Sequence, residues 1–183
     1  MAHIPVAMEL PGILGPMAFS PETAKPMFEL ANLLLNTETE GLKRAERELI
    51  ASYVSYLNGC VYCFEAHGAV ADTHQQMPGW ARSVWNDGSF SKVSPKMKAL
   101  LVIAGKVQGA PREVSFEDVE RAKLNKAVDR DIHDTVLIAA AFSMYNRYVD
   151  GLATRQPPPR DPLYQERAKY IVANGYRSPF SKE

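Results

Sequence analysis

Apolar positions recur at three- and four-residue steps along nearly the whole chain, and the period-two alternation of half-buried strands is missing. The clearest stripe runs from Gly41 to Leu57 through Leu42, Ala45, Leu49, Tyr53 and Tyr56. Ahead of it, Ser20-Pro21 opens a helix through Phe28, Leu30 and Leu33 to Leu35, with a disturbance expected at Pro26. Asn58-Gly59 breaks the chain after Leu57, and the next helix runs from about Cys60 to Gln75, so the two fold back on each other. Beyond Met77-Pro78-Gly79 a short helix carries Trp80 and Trp85 and ends at Asn86-Asp87-Gly88. Ser94-Pro95 starts another through Leu100 and Ile103 to about Gly109, and Ser115 with Asp118 has capping-box spacing for a helix ending near Leu124. A long apolar helix covers 129–149, closed by Asp150-Gly151, and Asp161-Pro162 caps a last one that stops at Asn174-Gly175. Prolines make 154–160 a stiff connector, and Pro5, Pro11 and Pro16 break up the start of the chain. The pattern predicts an all-α fold built on an antiparallel helix pair. It reads as one domain over 1–183, with an N-terminal extension (1–19) and a C-terminal helix (161–175).

Composition narrows the function. Lys plus Arg is 21 and Asp plus Glu is 21, and a net charge of zero argues against nucleic-acid or anionic-membrane binding. No apolar run reaches the roughly 18 residues of a spanning helix. The proline-broken N-terminus has no basic start, so it does not read as a secretory signal. A cytoplasmic protein is expected, with His3 in a loose terminus.

Both cysteines of the 183-residue chain fall in one motif, Cys60-Val61-Tyr62-Cys63. A disulfide scaffold spreads its cysteines to close long loops, whereas a lone pair three residues apart points to redox chemistry or metal binding. Cys60, Cys63 and His67 share one helix face, within about 60° of one another. The break at Asn58-Gly59 puts both thiols in the first helical turn, where free N–H groups and the helix dipole favour a thiolate. His67, one turn on, is placed as a base. Glu48 lies eleven residues before Gly59 and His67 eight after it, about 16 and 12 Å of helix, so a hairpin brings them to similar heights. Ser52 and Ser55 flank Glu48 and are small enough to let the second helix approach. Taken alone, Glu48 is a solvated carboxylate beside Arg44 and Arg47. Paired with His67, it orients the imidazole and raises its basicity. Position nearer the helix terminus favours Cys60 as the reactive thiolate, and proximity to His67 favours Cys63; the physics of the sequence leaves both open.

These residues resemble the E-x11-C-x-x-C-x3-H signature of AhpD-like alkylhydroperoxidases, within the carboxymuconolactone decarboxylase superfamily. The segment Asn146-Arg147-Tyr148-Val149-Asp150-Gly151 resembles one found in the peroxidase-related branch. The resemblance covers roughly Phe28 to Gly151. It implies a helical homo-oligomer that reduces organic hydroperoxides or hydrogen peroxide; no cofactor or metal is expected. It makes Cys63 the peroxidatic thiol, Cys60 the resolving one, and Glu48 with His67 the proton relay. An external dithiol or a protein reductant would restore the pair. Well-studied members carry a histidine where this chain has Tyr62, which offers an accessory hydrogen bond but no base at neutral pH.

Other classes are weighed beside this one. A redox sensor that is oxidised without turnover would use the same thiols. Zinc on Cys60, Cys63, His67 and His74 fails on distance, since His74 lies about 10 Å beyond His67 along a straight helix. Lactone decarboxylases of this superfamily lack the cysteine pair. His133, near Asp129, Asp131 and Asp134, reads as a paired or solvated histidine. Trp80, Trp85, Phe64 and the methionines read as core or subunit contacts, or as an apolar approach to Cys63.

Overall fold

The computed structural model describes residues 2–177 and residue 180. It is all-helical, with the elements α1 (Leu14–Phe19), α2 (Pro21–Asn36), α3 (Arg44–Leu57), α4 (Val61–Gln75), α5 (Trp80–Trp85), α6 (Pro95–Gly109), α7 (Phe116–Leu124), α8 (Asp129–Gly151) and α9 (Pro162–Asn174). A short 3-10 turn, Pro111–Glu113, joins α6 to α7. The caps explain several starts. Ser94 Oγ accepts from the Met97 N–H, Asp161 Oδ1 accepts from the Leu163 N–H, and Ser115 with Asp118 closes the expected capping box.

The largest helix–helix contact joins α3 and α4, with α9 against α4 and α8 against α3 and α6. Between these layers Leu49, Ile50, Val54, Leu100, Ile103 and Ile138 are fully buried. The α3–α4 approach is close for the reason the small residues suggest. Ser52 is buried with its Oγ donating to the Phe64 carbonyl at 2.7 Å, and a Cβ on Gly68 would sit only 3.2 Å from that hydroxyl.

Three expectations are corrected. Helix α2 runs unbroken through Pro26, because the missing N–H removes one hydrogen bond while Phe28, Leu34 and Leu35 stay buried. Pro16 does not prevent a helix either: it is the third residue of α1, where an N–H has no intrahelical partner. The first residues are pinned rather than loose, since the His3 N–H bonds the Leu152 carbonyl at 3.0 Å and the Gly12 N–H the Arg155 carbonyl at 2.7 Å.

Arg47 is buried where α2, α3 and α8 meet. It is 1% exposed and ties three elements together. Nη2 meets Asp134 Oδ2 of α8 at 2.7 Å, while Nη1 and Nε donate to the carbonyls of Leu34 and Leu42. His133 and Arg130 also bond Asp134. Burial alone would raise the Asp134 carboxyl, but these three partners hold it below its ordinary value.

Two outcomes are expected. Arg47→Met, which leaves Asp134 and two carbonyls short of a donor, lowers the unfolding free energy by about 3 kcal/mol in urea titrations. Burial pushes the phenols of Tyr62 and Tyr145 up to about 12, so they stay neutral in the fold when an unfolded chain would ionise them. Their contribution is intact below the ordinary tyrosine value of 10.0 and is lost as pH climbs toward 12, about 1.4 kcal/mol per pH unit for each phenol. Unfolding midpoints measured across that range fall in wild type and fall less steeply in Tyr145→Phe.

Candidate functional site

The turn between α3 and α4 sets the site. Gly59 adopts φ +75°, and Cys60 caps α4 with its N–H on the Ser55 carbonyl at 3.1 Å. Cys63 is the third helical residue, so both thiols lie in the first turn as expected. Both are free and buried, Cys60 at 0% and Cys63 at 4% exposure.

Glu48, far from being solvated, is 1% exposed and meets His67 across the hairpin: Oε2 lies 2.7 Å from Nδ1. Its other oxygen accepts from Tyr176 Oη at 2.7 Å, and that hydroxyl lies 3.1 Å from Nδ1. A carboxylate that accepts on both oxygens makes Nδ1 the donor, which leaves the lone pair on Nε2. Phe142 meets the imidazole edge-to-face at 4.5 Å and Tyr176 stacks on it at 5.9 Å, so the ring is fixed from both sides.

Tyr176 was not anticipated. It follows Gly175, whose φ of +72° turns the chain out of α9, and its N–H bonds Asn32 Oδ1 at 2.9 Å. A Cβ on Gly175 would come within 2.7 Å of the Asn32 and Asn36 side chains, so glycine is required. The hydroxyl sits inside, between Glu48 and His67, and burial with the adjacent Glu48 charge pushes it well above an ordinary phenol. An aromatic just after a helix-stopping glycine often packs back on its helix, the one signal the sequence offered.

Asn146 is the second addition. It is 1% exposed on α8, donates to Ser55 Oγ at 3.0 Å and accepts from Asn58 Nδ2 at 2.8 Å. Gln108 bonds Asn58 in turn at 2.9 Å. Asn146 also hydrogen-bonds the Cys63 thiol. A polar residue flanked by Phe142, Tyr145 and Val149 on a buried face needs partners, which was a usable hint. Gln156 of the connector is the third: it accepts the Tyr62 N–H at 3.0 Å and donates to Asp150 at 2.9 Å, satisfying an orphan donor of α4.

The helix terminus does not make Cys63 acidic. Its hydrogen bond with Cys60 and its burial push the thiol well above an ordinary cysteine, with only Asn146 pulling it down. The resting pair therefore holds Cys63 as a thiol.

Cys63 and His67 open on one cavity of about 60 Å³, room for a few waters or a small reactive group. Ile13, Leu14 and Met17 form one wall, so the N-terminal segment closes the site rather than merely extending the chain. Tyr62 lines it too, its ring 5.9 Å from Tyr164. Trp85, Phe64 and Tyr56 instead form an aromatic cluster of their own, with ring centroids 5.2 to 5.9 Å apart, away from the cavity lining. His74 lies at the far end of α4, in a groove with Glu38 and Arg44. Among the described residues no three His, Cys, Asp or Glu side chains gather to hold a metal. His133 is exposed and paired with Asp134.

The site is thus a helical hairpin with a dithiol turn and a carboxylate-held histidine, closed under flanking helices. Residues 21–104 match the model of the Carboxymuconolactone decarboxylase family. The chain is similar to the alkylhydroperoxidase AhpD core structure of an uncharacterized peroxidase-related protein from Ralstonia eutropha JMP134, with TM-score 0.75 and 29% identity over 85% of this chain and 80% of that one. An uncharacterized peroxidase-related protein from Silicibacter sp. TM1040 is similar with TM-score 0.74 and 28% identity, covering 85% of this chain and 78% of its own. Uncharacterized protein YdfG of Bacillus subtilis (strain 168) is 26% identical over 140 residues, 74% of this chain and 90% of its own. Together these similarities support the AhpD/carboxymuconolactone decarboxylase superfamily, and its peroxidase-related branch, as the group this chain resembles.

Thiol reactivity should follow the contacts. Cys60→Ala removes the partner that raises Cys63, so pH-dependent iodoacetamide labelling of Cys63 shifts to lower pH. Asn146→Ala removes the stabilising donor, so labelling shifts to higher pH, and stability falls by about 1–3 kcal/mol as Asn58 and Ser55 lose their partner.

Proposed function

We propose that the chain is a thiol-dependent peroxidase with an antioxidant role, reducing organic hydroperoxides or hydrogen peroxide through Cys63 and Cys60. The observation that carries this reading is the shared cavity: Cys63 and His67 both line it, whereas Cys60 is buried and does not. A peroxide entering there meets Cys63 first, with Cys60 behind it as the resolving thiol. This choice between the thiols agrees with the family resemblance.

In the proposed cycle His67 Nε2 takes the Cys63 proton, and Glu48 stabilises the resulting imidazolium through Nδ1. The thiolate attacks the distal peroxide oxygen and the O–O bond breaks. The leaving alkoxide takes the proton from His67 and departs as an alcohol, or as water from hydrogen peroxide. Cys63 is left as a sulfenic acid. The Cys60 sulfur displaces water from it to form the disulfide. The two thiols have then supplied the two electrons that reduced the peroxide. An external dithiol or protein reductant restores them by exchange. Tyr62 contributes a cavity wall, and its accessory hydrogen bond belongs to this proposal. Homo-oligomerisation and a cytoplasmic setting belong to it as well; among the described residues no helix is long and apolar enough to cross a membrane.

A second reading, a sensor oxidised once without turnover, is favoured by one observation: Cys63 is buried and its thiol is pushed up, which slows attack in the absence of a base. Turnover separates the two. With a dithiol donor in excess, the peroxidase consumes many equivalents of cumene hydroperoxide, and the sensor consumes one.

Cys63→Ser should abolish hydroperoxide consumption with helical circular dichroism unchanged; activity that survives in this variant overturns the assignment. Glu48→Gln should lower kcat/KM by about a hundredfold at neutral pH, and Tyr176→Phe by a smaller factor, because His67 keeps its carboxylate.

A further inference from the structure

The cavity at Cys63 is walled by apolar side chains such as Met17, Met27 and Phe28, and one side chain in its lining carries a permanent charge, Arg167 of α9. Arg167 is half-buried, and among the described residues it makes no hydrogen bond or ion pair. Its charge acts on the phenols of Tyr62 and Tyr176, which line the same cavity. The buried acid Glu48 is bonded to His67 and Tyr176 and does not line the cavity. A second recess of about 120 Å³ abuts the first. Phe28, Arg167, Ile171 and Tyr176 line both, and the second adds Arg177.

A half-buried guanidinium without a partner forfeits hydration and gains nothing in return unless a ligand supplies the anion. The chain as a whole is neutral, so this is not part of a general basic surface. One planar fork in an apolar wall suits one planar, singly charged group, and a carboxylate is the match.

We infer that this recess is a carboxylate subsite: the hydroperoxide the enzyme takes carries a terminal carboxylate, which Arg167 holds, with Arg177 at the rim, while the peroxide end reaches Cys63. The inference rests on the peroxidase reading and names its substrate class. Arg167 is then a specificity residue that touches the substrate at the end remote from the chemistry. Uncharged hydroperoxides enter the same cavity without that anchor.

The test compares ω-hydroperoxyhexanoic acid with its methyl ester. In wild type the acid should have the higher kcat/KM by about tenfold, mostly through a lower KM that rises with salt. In Arg167→Gln the acid-to-ester ratio should collapse toward one, and Arg167→Lys should retain part of it. A wild-type enzyme that turns over acid and ester equally, or a ratio untouched by Arg167→Gln, overturns the subsite. If neither hydroperoxide is consumed at all, the peroxidase reading fails by itself. Calorimetric titration with ω-hydroxyhexanoic acid and its methyl ester then decides the subsite separately. Binding of the acid alone, lost in Arg167→Gln, supports it, and equal or absent binding of both sinks it.

Discussion

A buried carboxylate is tolerated only when hydrogen-bond donors replace the water it loses, and Glu48 is such a group. Its two oxygens are met by His67 from α4 and Tyr176 from the segment after α9. Neither donor is local to α3, so the acid is satisfied only when the hairpin is in register and the C-terminal segment is docked. The same two bonds fix the tautomer of His67, and through it the identity of the basic nitrogen. Satisfying a buried charge and orienting the imidazole are here one geometric requirement.

A second polar layer lies beneath the thiols. Gln108 of α6 and Asn58 bond in series to Asn146 of α8, and Asn146 in turn bonds both Ser55 Oγ of α3 and the Cys63 thiol. Buried amides are costly unless fully paired, so such a chain holds the Cys-x-x-Cys turn in one position relative to the cavity. It also gives Cys63 its one stabilising neighbour against the effects of burial and of Cys60. The site thus combines a thiol that resists ionisation with a base fixed one turn away. That combination favours reaction when a substrate fills the cavity over oxidation of an idle thiolate.

The ends of the chain complete the chamber. Ile13, Leu14 and Met17 close one side, Arg167 and Ile171 of α9 another, and Tyr176 reaches the relay itself. The family match spans only residues 21–104. It takes in the hairpin with Glu48, the thiols and His67, but leaves outside it Asn146, Arg167, Tyr176 and the N-terminal wall. The dithiol and its histidine therefore lie in the matched part, while Asn146, Tyr176 and much of the cavity wall lie beyond it.

Helix periodicity, the Asn58-Gly59 break and the 48–60–63–67 spacing were enough to place Glu48, both thiols and His67 in one hairpin, because helices obey fixed rise and rotation. For the same reason the starts at Ser94, Ser115 and Asp161 were readable: a cap acts within three residues of itself. What the sequence could not supply were contacts between residues far apart in the chain. Tyr176 lies 128 residues from Glu48 and Asn146 lies 91 from Ser55, and no local rule pairs such positions. Glu48 taken alone looked solvated because neighbouring charges on one helix usually are, yet packing of α4 buried it, as packing of α2 and α8 buried Arg47 beside it. Local periodicity fixes which residues share a face; only the tertiary fold decides what that face meets, and so whether a charge is hydrated, paired or put to use.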